Sequence, residues 1–527
     1  MRLLRCLLAL VTVLSGVALV RPTPVAAETT TATLLTDTVY ELRKPTNGWP
    51  MLTAKATEVT KFASQGYTQR IALFNASIRP QPGLVPAWRL FRSSDGNCFV
   101  TIYATERDNA VRYHGYVSQG IAFYVAATAK PDLLPVYRFH TPKWRLRFAA
   151  TPQRQATLLN SGYVKEPSPR FYAAAPLTPA QAVAAMPSYT PEILNAMGSH
   201  NAFPGAVRLA NGYLLAAYRV AANHFPGISG GQVYSSWSRD NGATWTVPRL
   251  VEVPTTMPVG VGGLSVPSRG PLSGRPILTI DERDANGLRA KPRIMVANDD
   301  MGLSWGPYQS LTLDGPGTQS VLGSRAIQLS DTKFLIASYN GSGDARTRQI
   351  TWNGSGWTMG TIALLADGVG NQATPSYAEP NVVAWKDAAG RTQLMALLRT
   401  NSWGTNSLYI RQSYSHDLGV TWTKPTNAFP GEGNPHMTML ADGRIMVVYR
   451  HFVGATRTAG ELWPAYVISG DKGATWSAEV KIGDARSMMA YGDPVEYAPG
   501  NVTVVWAQED SVATSNIRIY VTNLLDV

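Results

Sequence analysis

The sequence predicts an all-β protein: a three-repeat, trefoil-like β module followed by a six-bladed β-propeller. Two internal repeats indicate this organisation, one with a period near 48 residues up to residue 175 and one of 53 to 62 residues from residue 190 onward. The composition agrees, because 14 Trp, 23 Tyr and 46 Gly are typical of short strands joined by many turns. A length of 527 residues also indicates more than one domain.

The first 27 residues have the pattern of an export signal. Arg2 and Arg5 precede an apolar run over residues 7–20, and residues 25–27 supply the small side chains of a cleavage site. The apolar run is too short for a membrane anchor, and no later stretch is apolar enough to span a bilayer. We therefore expect a secreted, extracellular protein without a membrane span.

The charge and cysteine content of the mature chain exclude some classes of function. Loss of the leader removes three arginines and no acid, which lowers the formal net charge from +12 to +9. No dense Lys/Arg block remains, so nucleic acid is not an expected partner, whereas anionic cell walls or acidic glycans are compatible with a basic surface. Cys6 leaves with the leader, and Cys98 alone cannot form an internal disulfide. We expect a monomer that is stabilised by its hydrophobic core and not by disulfide bonds.

Residues 36–175 contain three copies of one unit, each with an aromatic strand at its start, a Gly-Tyr pair, and a second aromatic strand at its end. The units resemble a repeat family of unknown function found beside catalytic domains in secreted bacterial hydrolases. We interpret this module as a carbohydrate- or wall-binding appendage, with a purely structural domain as the alternative. Residues 176–189, rich in Ala and Pro, are interpreted as a linker to a propeller over residues 190–527. The Gly-Tyr pairs are Gly66-Tyr67, Gly115-Tyr116 and Gly162-Tyr163.

Four segments of the second repeat match Ser/Asn-x-Asp-x-Gly-x-x-Trp, with Asp240, Asp300, Asp417 and Asp471 at the acidic position. The Asp is expected to accept hydrogen bonds from backbone N–H groups of its own turn, the Gly to adopt a positive φ, and the Trp to pack between blades. These acids are therefore structural, and we exclude them from the active site. One blade lacks the pattern, and residues 354–357 are interpreted as its remnant.

A second periodic signal predicts six blades. Short turns between apolar strands recur six times, as expected for the hairpin that joins the first two strands of each blade. The Asp-containing segments resemble those of bacterial sialidases and related exo-glycosidases, over residues 195–527. The six turns are Asn211-Gly212, Ser273-Gly274, Ser330-Asp331, Ala389-Gly390, Asp442-Gly443 and Pro499-Gly500.

The hairpins also predict which residues line the mouth of the propeller. If the hairpins lie at the bottom, the start of each first strand and the end of each second strand lie at the top, where loops carry function. The predicted starts are His200/Asn201, Ser265 to Arg269, Thr318/Gln319, Glu379, Asn434/His436 and Tyr491/Asp493, and the predicted ends are Arg219, Asp281/Glu282, Tyr339, Arg399, Arg450 and Gln508/Glu509.

Two segments make the resemblance to sialidases specific. Ala378-Glu379-Pro380, followed by a strand, a turn and Arg399, is similar to the sialidase fourth blade, and residues 490–494 are similar to the segment that bears the nucleophilic Tyr. The resemblance implies that Glu379 is the base for Tyr491 and that Arg399 binds the substrate. The chemistry is consistent, because a Tyr with a pKa near 10 needs a carboxylate to take its proton. The alternative is an ion pair between Glu379 and Arg399 that only braces the blade.

The chain also departs from the sialidase pattern. Ala202 stands where the family has an Arg two residues before a Pro, and no Asp or Glu lies between Arg219 and Ser238 to act as the acid. The remaining candidates for the acid are Asp281, Glu282 and His224. Candidate substrate ligands besides Arg399 are Arg219, Arg450, His200, His224, His436 and Asp493.

The sequence thus predicts a secreted, exo-acting glycoside hydrolase that cleaves terminal sugars from glycans or polysaccharides, with a carbohydrate as its partner. Two opposed proton-handling groups are required for this chemistry. The alternatives are a non-catalytic glycan-binding propeller and a true exo-α-sialidase. No metal cluster and no cofactor motif is found in the sequence, so no metal and no cofactor are expected.

Overall fold

The computed structural model describes residues 31–44, 48–67, 69–176, 178–222, 231–251, 253, 259–283, 290–314, 320–368, 376–400, 409–453, 461–485, 490–509 and 516–527. The predicted leader lies outside the described residues. The chain divides into two compact units, residues 1–177 and 178–527. Strands dominate both units, and no helix in the described parts of the chain is long and apolar enough to cross a membrane.

The N-terminal unit consists of three sheets, each with the opening strand of a repeat at its centre. Each repeat runs strand, strand, helix, strand, so the helices are a departure from the predicted all-β module. The elements are η1 (Thr31–Leu34), β1 (Asp37–Arg43), β2 (Pro50–Thr53), α1 (Ala56–Ser64), β3 (Gln69–Ala76), β4 (Val85–Arg92), β5 (Asn97–Thr101), α2 (Ala104–Tyr113), β6 (Val117–Val125), β7 (Leu134–His140), β8 (Leu146–Ala149), α3 (Pro152–Asn160), β9 (Val164–Lys165) and β10 (Phe171–Ala173).

The Gly-Tyr pairs of the sequence are the C-terminal ends of these helices. Gly66, with φ of +88°, follows α1, and the N–H of Tyr67 donates to the carbonyl of Phe62 at 3.0 Å. The same contact links Tyr163 to Leu158 at 3.0 Å. A glycine in the left-handed region followed by this backward hydrogen bond ends a helix. The sequence analysis identified the period of the Gly-Tyr motif but did not predict the helix that each pair ends.

The closing strands of the three repeats form the centre of the unit. Phe74, Phe123 and Phe171 occupy equivalent positions and pack edge to face, with ring centroids 5.4 to 6.4 Å apart. Isolated bridges join the three strands in a ring, Asn75 with Ala174, Ser77 with Tyr124, and Ala126 with Tyr172. The repeats therefore bury their aromatic faces only when all three are assembled.

The C-terminal unit is a succession of antiparallel sheets. It begins with a short segment, α4 (Pro179–Ala184), β11 (Ser188–Tyr189) and η2 (Pro191–Asn195). The sheet strands are β12 (His200–Arg208), β13 (Leu214–Ala221), β14 (Gln232–Ser238), β15 (Trp245–Thr246), β16 (Arg249–Leu250), β17 (Val259–Ser265), β18 (Ile277–Arg283), β19 (Ala290–Val296), β20 (Gln309–Ser310), β21 (Ser320–Leu322), β22 (Ile327–Gln328), β23 (Lys333–Asn340), β24 (Ala345–Trp352), β25 (Trp357–Ala366), β26 (Tyr377–Lys386), β27 (Thr392–Thr400), β28 (Tyr409–Ser415), β29 (Thr426–Pro430), β30 (Gly433–Met439), β31 (Ile445–Val453), β32 (Glu461–Ser469), β33 (Val480–Lys481), β34 (Ala490–Ala498), β35 (Asn501–Glu509) and β36 (Ile517–Leu524).

The sheets succeed one another around a closed ring. Strand β12 contacts β17, β19 contacts β21, β23 contacts β26, β26 contacts β30, β30 contacts β34, and β34 contacts β12. The ring closes where His200 of β12 pairs in parallel with Ile517 of β36, which joins seven strands into one sheet. Each short turn noted in the sequence joins two strands that pair antiparallel: β12 and β13, β17 and β18, β22 and β23, β26 and β27, β30 and β31, and β34 and β35. The arrangement is therefore β-propeller-like.

The segment predicted as a linker differs from that expectation. Thr178 and Gln181 form a reciprocal capping box at the start of α4, which stabilises the helix. Val183 is fully buried in a core cluster of the C-terminal unit. An Ala- and Pro-rich composition is compatible with a short helix, because Pro is tolerated in the first turn and Ala favours helix.

Strand β17 also differs from the prediction. We expected the first strand of the second blade to begin at residues 265–269, but β17 runs over residues 259–265, so Ser265 lies at the opposite end of the strand. Its Val-Gly-Val-Gly-Gly sequence lacks a strand pattern. The glycines allow close packing, since a Cβ on Gly263 would lie 2.8 Å from the backbone nitrogen of Arg325.

Three of the Asp-containing segments share one set of contacts. The carboxylate of Asp240 accepts from the N–H and the hydroxyl of Thr244 at 2.8 and 2.6 Å, and the hydroxyl of Ser238 accepts from the N–H of Gly242. Gly242 has φ of +89°. Its carbonyl accepts from the indole of Trp245. The turn contacts recur at Ser415, Asp417, Gly419 and Thr421 and at Ser469, Asp471, Gly473 and Thr475.

The second segment uses a different acid. Asp299, not the predicted Asp300, accepts from the N–H groups of Met301, Leu303 and Ser304 at 3.0 to 3.1 Å. Two consecutive aspartates stand in this turn, and the pattern alone did not distinguish them.

Two glycines with nearly the same φ provide a test of how tightly these turns pack. A Cβ on Gly242 would lie 2.7 Å from Cγ2 of Thr503, whereas a Cβ on Gly212, with φ of +88°, would have nothing nearer than 3.7 Å. We expect Gly212→Ala to lower the free energy of unfolding by about 1 kcal/mol through backbone strain alone, and Gly242→Ala by about 2 kcal/mol more through overpacking. Urea denaturation of both variants checks this, and equal losses would contradict it.

Candidate functional site

A backbone irregularity in β26 positions the side chain of Glu379. The register between β26 and β27 shifts between Ala378 and Asn381, and Glu379 has φ of +46°. The following Pro380 cannot donate a ladder hydrogen bond, and it restricts the backbone of the residue before it. A bulge of this kind redirects a side chain out of the regular alternation of the strand. The same feature recurs at Phe203-Pro204 in β12 and at Asn434-Pro435 in β30.

The carboxylate of Glu379 is the centre of a buried network. Its Oε1 accepts from Nη1 of Arg399 at 3.0 Å and from the hydroxyl of Tyr491 at 3.1 Å. Its Oε2 accepts from the backbone N–H of Asn434 at 2.9 Å. Strands β26, β27, β30 and β34 thus meet at one carboxylate. The three residues of the predicted site, Glu379, Arg399 and Tyr491, are in direct contact.

A second carboxylate, which sequence reasoning missed, bridges two of the predicted arginines. Glu432 is 2% exposed and precedes the first residue of β30. It accepts from Nη2 of Arg399 at 2.9 Å and from Nε of Arg450. Arg450 is fully buried, and its two terminal nitrogens have no hydrogen-bond partner among the described residues. Two carboxylates therefore face two guanidinium groups, which balances the formal charge of the cluster.

The charges of this cluster determine the protonation of its members. Burial opposes ionisation of Glu379, but the charges of Arg399 and Arg450 outweigh it and hold the pKa of the carboxyl below its usual range. Burial, and then the negative charge of Glu379, raise the pKa of Tyr491 to about 12. Burial disfavours the charged form of Arg399, yet Glu379 and Glu432 raise its pKa. At neutral pH the site holds a carboxylate base beside a neutral phenol.

An aromatic wall adjoins the phenol. The ring of Phe203 contacts Tyr491 edge to face at 4.9 Å, and the guanidinium of Arg219 lies 4.7 Å from the centre of the Phe203 ring. Arg219 in turn contacts Nδ1 of His200 at 3.1 Å. The guanidinium of Arg450 lies 5.4 Å from the centre of the Tyr491 ring. The structure thus links His200 and Arg219 to Tyr491 through Phe203, which the sequence analysis did not single out, and places Arg450 directly beside Tyr491.

Asp493 belongs to a different cluster. Its carboxylate is 1% exposed, accepts from the N–H of Ala206 at 2.8 Å, forms an ion pair with Arg325, and lies 3.5 Å from Nδ1 of His436. Burial raises the pKa of Asp493, but Arg325 and His436 outweigh it, so the pKa is lowered. Asp493 and His436 thus link neighbouring sheets of the ring, and their contact with substrate stays a prediction.

The structure does not join the candidate acids to Glu379. Both oxygens of Asp281 accept from the backbone N–H of Leu322 at 3.2 Å, which connects two neighbouring sheets. Glu282 forms an ion pair with Arg293, with Nη2 2.6 Å from the carboxylate. Each carboxylate is thus held by a partner in or beside its own sheet, and the assignment of one of them as the acid stays a prediction. His224 lies outside the described residues.

Among the described residues, no group of three or more His, Cys, Asp or Glu side chains is arranged to hold a metal ion.

Comparisons with known proteins give a family for the N-terminal unit alone. Residues 38–173 match the model of a domain of unknown function, DUF5648. A search of curated proteins finds no match. The solved structures with similarity include a protein of unknown function from Dyadobacter fermentans DSM 18053, with 17% identity over 62% of this chain and 95% of that one and a TM-score of 0.47.

Two further solved structures carry names that describe an activity. They are a Hadza microbial sialidase, Hz136 (14% identity, 86% of this chain, 96% of that one, TM-score 0.47), and a Penicillium chrysogenum alpha-L-arabinanase complexed with arabinobiose (16%, 62%, 93%, TM-score 0.42). With TM-scores below 0.5, neither similarity identifies a substrate for this chain.

Removal of the charge of Asp493 tests its structural role. We expect Asp493→Asn to lower the free energy of unfolding at pH 7 by about 3 kcal/mol, because Arg325 loses its buried partner. The lowered pKa means that the contribution of Asp493 is present above the ordinary carboxyl pKa and is lost as pH falls through its folded pKa. The deficit should therefore shrink in acid. Urea denaturation at pH 7 and pH 3 measures this, with the exposed Asp442→Asn as the control.

Proposed function

We propose that the C-terminal unit is a six-bladed, sialidase-like propeller and that the protein is a secreted, exo-acting glycoside hydrolase for a neutral terminal sugar. The observation that carries the proposal is the hydrogen bond from the Tyr491 hydroxyl to Glu379 at 3.1 Å. A buried phenol beside an ionised carboxylate is the arrangement that an activated nucleophile requires. An ion pair that only braced the sheets would not need a phenol on the same carboxylate oxygen.

In the proposed reaction, the Tyr491 oxygen attacks the anomeric carbon while its proton moves to Glu379. The bond from this carbon to the leaving oxygen breaks, and that oxygen takes a proton from an acid or from water. In the second step, water attacks the anomeric carbon, the glycosyl–tyrosine bond breaks, and Glu379 returns its proton to the Tyr491 oxygen. The proton that the water loses passes to the group that protonated the leaving oxygen, or to solvent. Arg450, 5.4 Å from the centre of the Tyr491 ring, favours negative charge that develops on the phenol oxygen.

Glu432 supports a neutral sugar as the substrate. A sialoside carries a carboxylate on the reacting ring, and an enzyme that binds it needs cationic groups whose charge is not already balanced by the protein's own carboxylates. In this chain the carboxylate of Glu432 already accepts from both Arg399 and Arg450. Ala202 also stands where an additional arginine would be expected. A substrate carboxylate at this place would face a fixed negative charge.

One observation favours the second candidate function, a glycan-binding propeller without hydrolytic activity. Hydrolysis of an unactivated glycoside needs a proton donor for the leaving oxygen, and both Asp281 and Glu282 have other partners. A propeller that binds sugars would keep the polar network and the aromatic wall without such a donor. The two functions differ in whether replacement of Glu379 changes the turnover of a glycoside.

Replacement of the proposed base tests catalysis. Glu379→Gln keeps the size of the side chain and removes the proton acceptor, so we expect kcat/KM for aryl glycosides to fall by about 10²–10⁴. Circular dichroism and the thermal midpoint establish that the variant folds. Turnover near that of the wild type would show that Glu379 is a structural brace, and no turnover by the wild type on aryl arabinosides or other aryl glycosides would favour the binding function.

The same assay locates the acid. Asp281→Asn and Glu282→Gln are matched controls of equal size, and an acid catalyst is dispensable when the leaving group is already a good one. We expect both variants to resemble the wild type on nitrophenyl glycosides. A loss confined to alkyl or sugar leaving groups would identify the acid, and a loss equal to that of Glu379→Gln on all substrates would contradict the assignment of the base.

Substrate charge provides a separate prediction. We expect little or no release from a fluorogenic sialoside and activity on another exo-linked sugar, such as an arabinoside, because the Glu432 carboxylate beside both arginines would repel a substrate carboxylate. The measurement is the ratio of kcat/KM for the two substrate classes. Efficient cleavage of the sialoside, abolished by Arg399→Ala, would overturn this prediction and restore the true exo-α-sialidase.

A further inference from the structure

The hairpin turn between β7 and β8 contains an exposed tryptophan in a backbone conformation that disfavours it. Trp144 has φ of +51° and is 59% exposed. A non-glycine residue in the left-handed region is uncommon, and a bulky one there is an outlier. The strained backbone of Trp144 and the exposure of its apolar indole to water each lower the stability of the folded chain. Such features persist where a function depends on them.

The internal repeats show that the fold does not require this residue. The equivalent positions are Gly48 and Gly96, each 48 residues from the next, with φ of +67° and +65°. All three residues occupy the same left-handed position in the turn between the first two strands of a repeat. Glycine meets the backbone requirement in two repeats, and the third has a tryptophan in its place. The side chain of Trp144 is therefore not part of the architecture of the turn.

The turn holds this indole in a fixed orientation. Trp144 stacks on His140, with ring centroids 4.5 Å apart and an angle of 20° between planes. The backbone N–H of Trp144 donates to the carbonyl of Thr141 at 2.8 Å, and its backbone carbonyl accepts from the side chain of Asn97 at 2.6 Å. Asn97 also accepts from the N–H of Leu146. An aromatic ring that is ordered before binding loses little conformational entropy on contact with a ligand.

The surroundings of the ring indicate the class of ligand. Lys143 and Arg145 flank Trp144 in the same turn, both are exposed, and neither forms an ion pair with a described residue. The flat apolar face of a sugar ring stacks on an indole, and flanking cations bind acidic substituents. A protein partner would need a wide apolar surface around the anchor, and two of the three other exposed residues of this turn are charged.

We propose that Trp144, with Lys143 and Arg145, forms a binding site for an acidic glycan on the N-terminal unit. The site binds one sugar ring through the indole and its carboxylate or phosphate through the two cations. It is independent of the hydrolytic site, so it holds whether or not the C-terminal unit is an enzyme.

Two variants of the full mature chain separate binding from folding. Trp144→Gly installs the residue that the other two repeats carry, so the thermal midpoint should stay the same or rise. Tyr113→Ala removes a comparably exposed aromatic, 64% exposed at the end of α2, and serves as the control. Affinity gel electrophoresis uses polygalacturonate as a carboxylate glycan, wall teichoic acid as a phosphate glycan, and methyl-esterified polygalacturonate as the uncharged control. Both the wild type and Glu379→Gln are measured, so that hydrolysis does not obscure binding.

We expect at least one acidic glycan to retard the wild type. Retardation should be weaker with methyl-esterified polygalacturonate and at high salt concentration. Trp144→Gly should bind about tenfold more weakly or worse, the loss typical of a central aromatic anchor, while Tyr113→Ala binds normally. The glycan that retards the chain distinguishes carboxylate from phosphate recognition. Retardation by neither acidic glycan, or undiminished binding by Trp144→Gly, overturns the proposal. A lowered thermal midpoint of Trp144→Gly would assign the tryptophan to the fold and overturn it as well.

Discussion

The hydrogen bonds and ion pairs around the Glu379 carboxylate are the constraint on which the rest of the site depends. A buried charge is costly unless it is paired, and here two carboxylates and two guanidinium groups from β26, β27, β31 and the segment before β30 pair with one another. Space is limiting as well, because a Cβ on Gly433 would lie 2.9 Å from both Arg399 and Arg450 and 3.1 Å from Glu379. Charge balance and close packing thus fix the Tyr491 hydroxyl relative to the Glu379 carboxylate.

The bulges before proline explain how a regular sheet presents such a cluster. In an undistorted strand, side chains alternate between two faces and all are needed for packing. Each bulge adds one residue, Phe203, Glu379 or Asn434, with a positive φ, and the side chain of this residue departs from the alternation of the strand. The residues on either side of it remain buried. A proline follows each of the three bulged residues, but Asp493-Pro494 in β34 keeps a regular register, so an X-Pro pair alone does not mark a bulge.

Much of the fold and part of the site were predictable because they rest on local, repeated chemistry. The turns and the Asp-containing segments are periodic, and Glu379, Arg399 and Tyr491 follow from their positions in the repeat. Glu432 was not predictable, since it is a single residue whose partners are brought near only by the closed ring. Asp281 and Glu282 were assigned by strand position, which does not tell which face a side chain takes. The helices of the N-terminal unit were missed because the aromatic strands and Gly-Tyr pairs that define the repeat lie outside them, and α3 contains no aromatic residue.

The parallel pairing of β12 with β36 has a consequence for how the C-terminal unit assembles. The ring is closed by contacts between distant parts of the chain, among them the side chain of Asn195 and the backbone of Ile519, 324 residues apart. Until β36 arrives, β12 is an unpaired edge, and such non-local closure is slow. The last strand of a second molecule offers the same hydrogen bonds as the chain's own. Strand exchange between neighbouring chains is therefore the misassembly to which this topology is prone when the protein is concentrated.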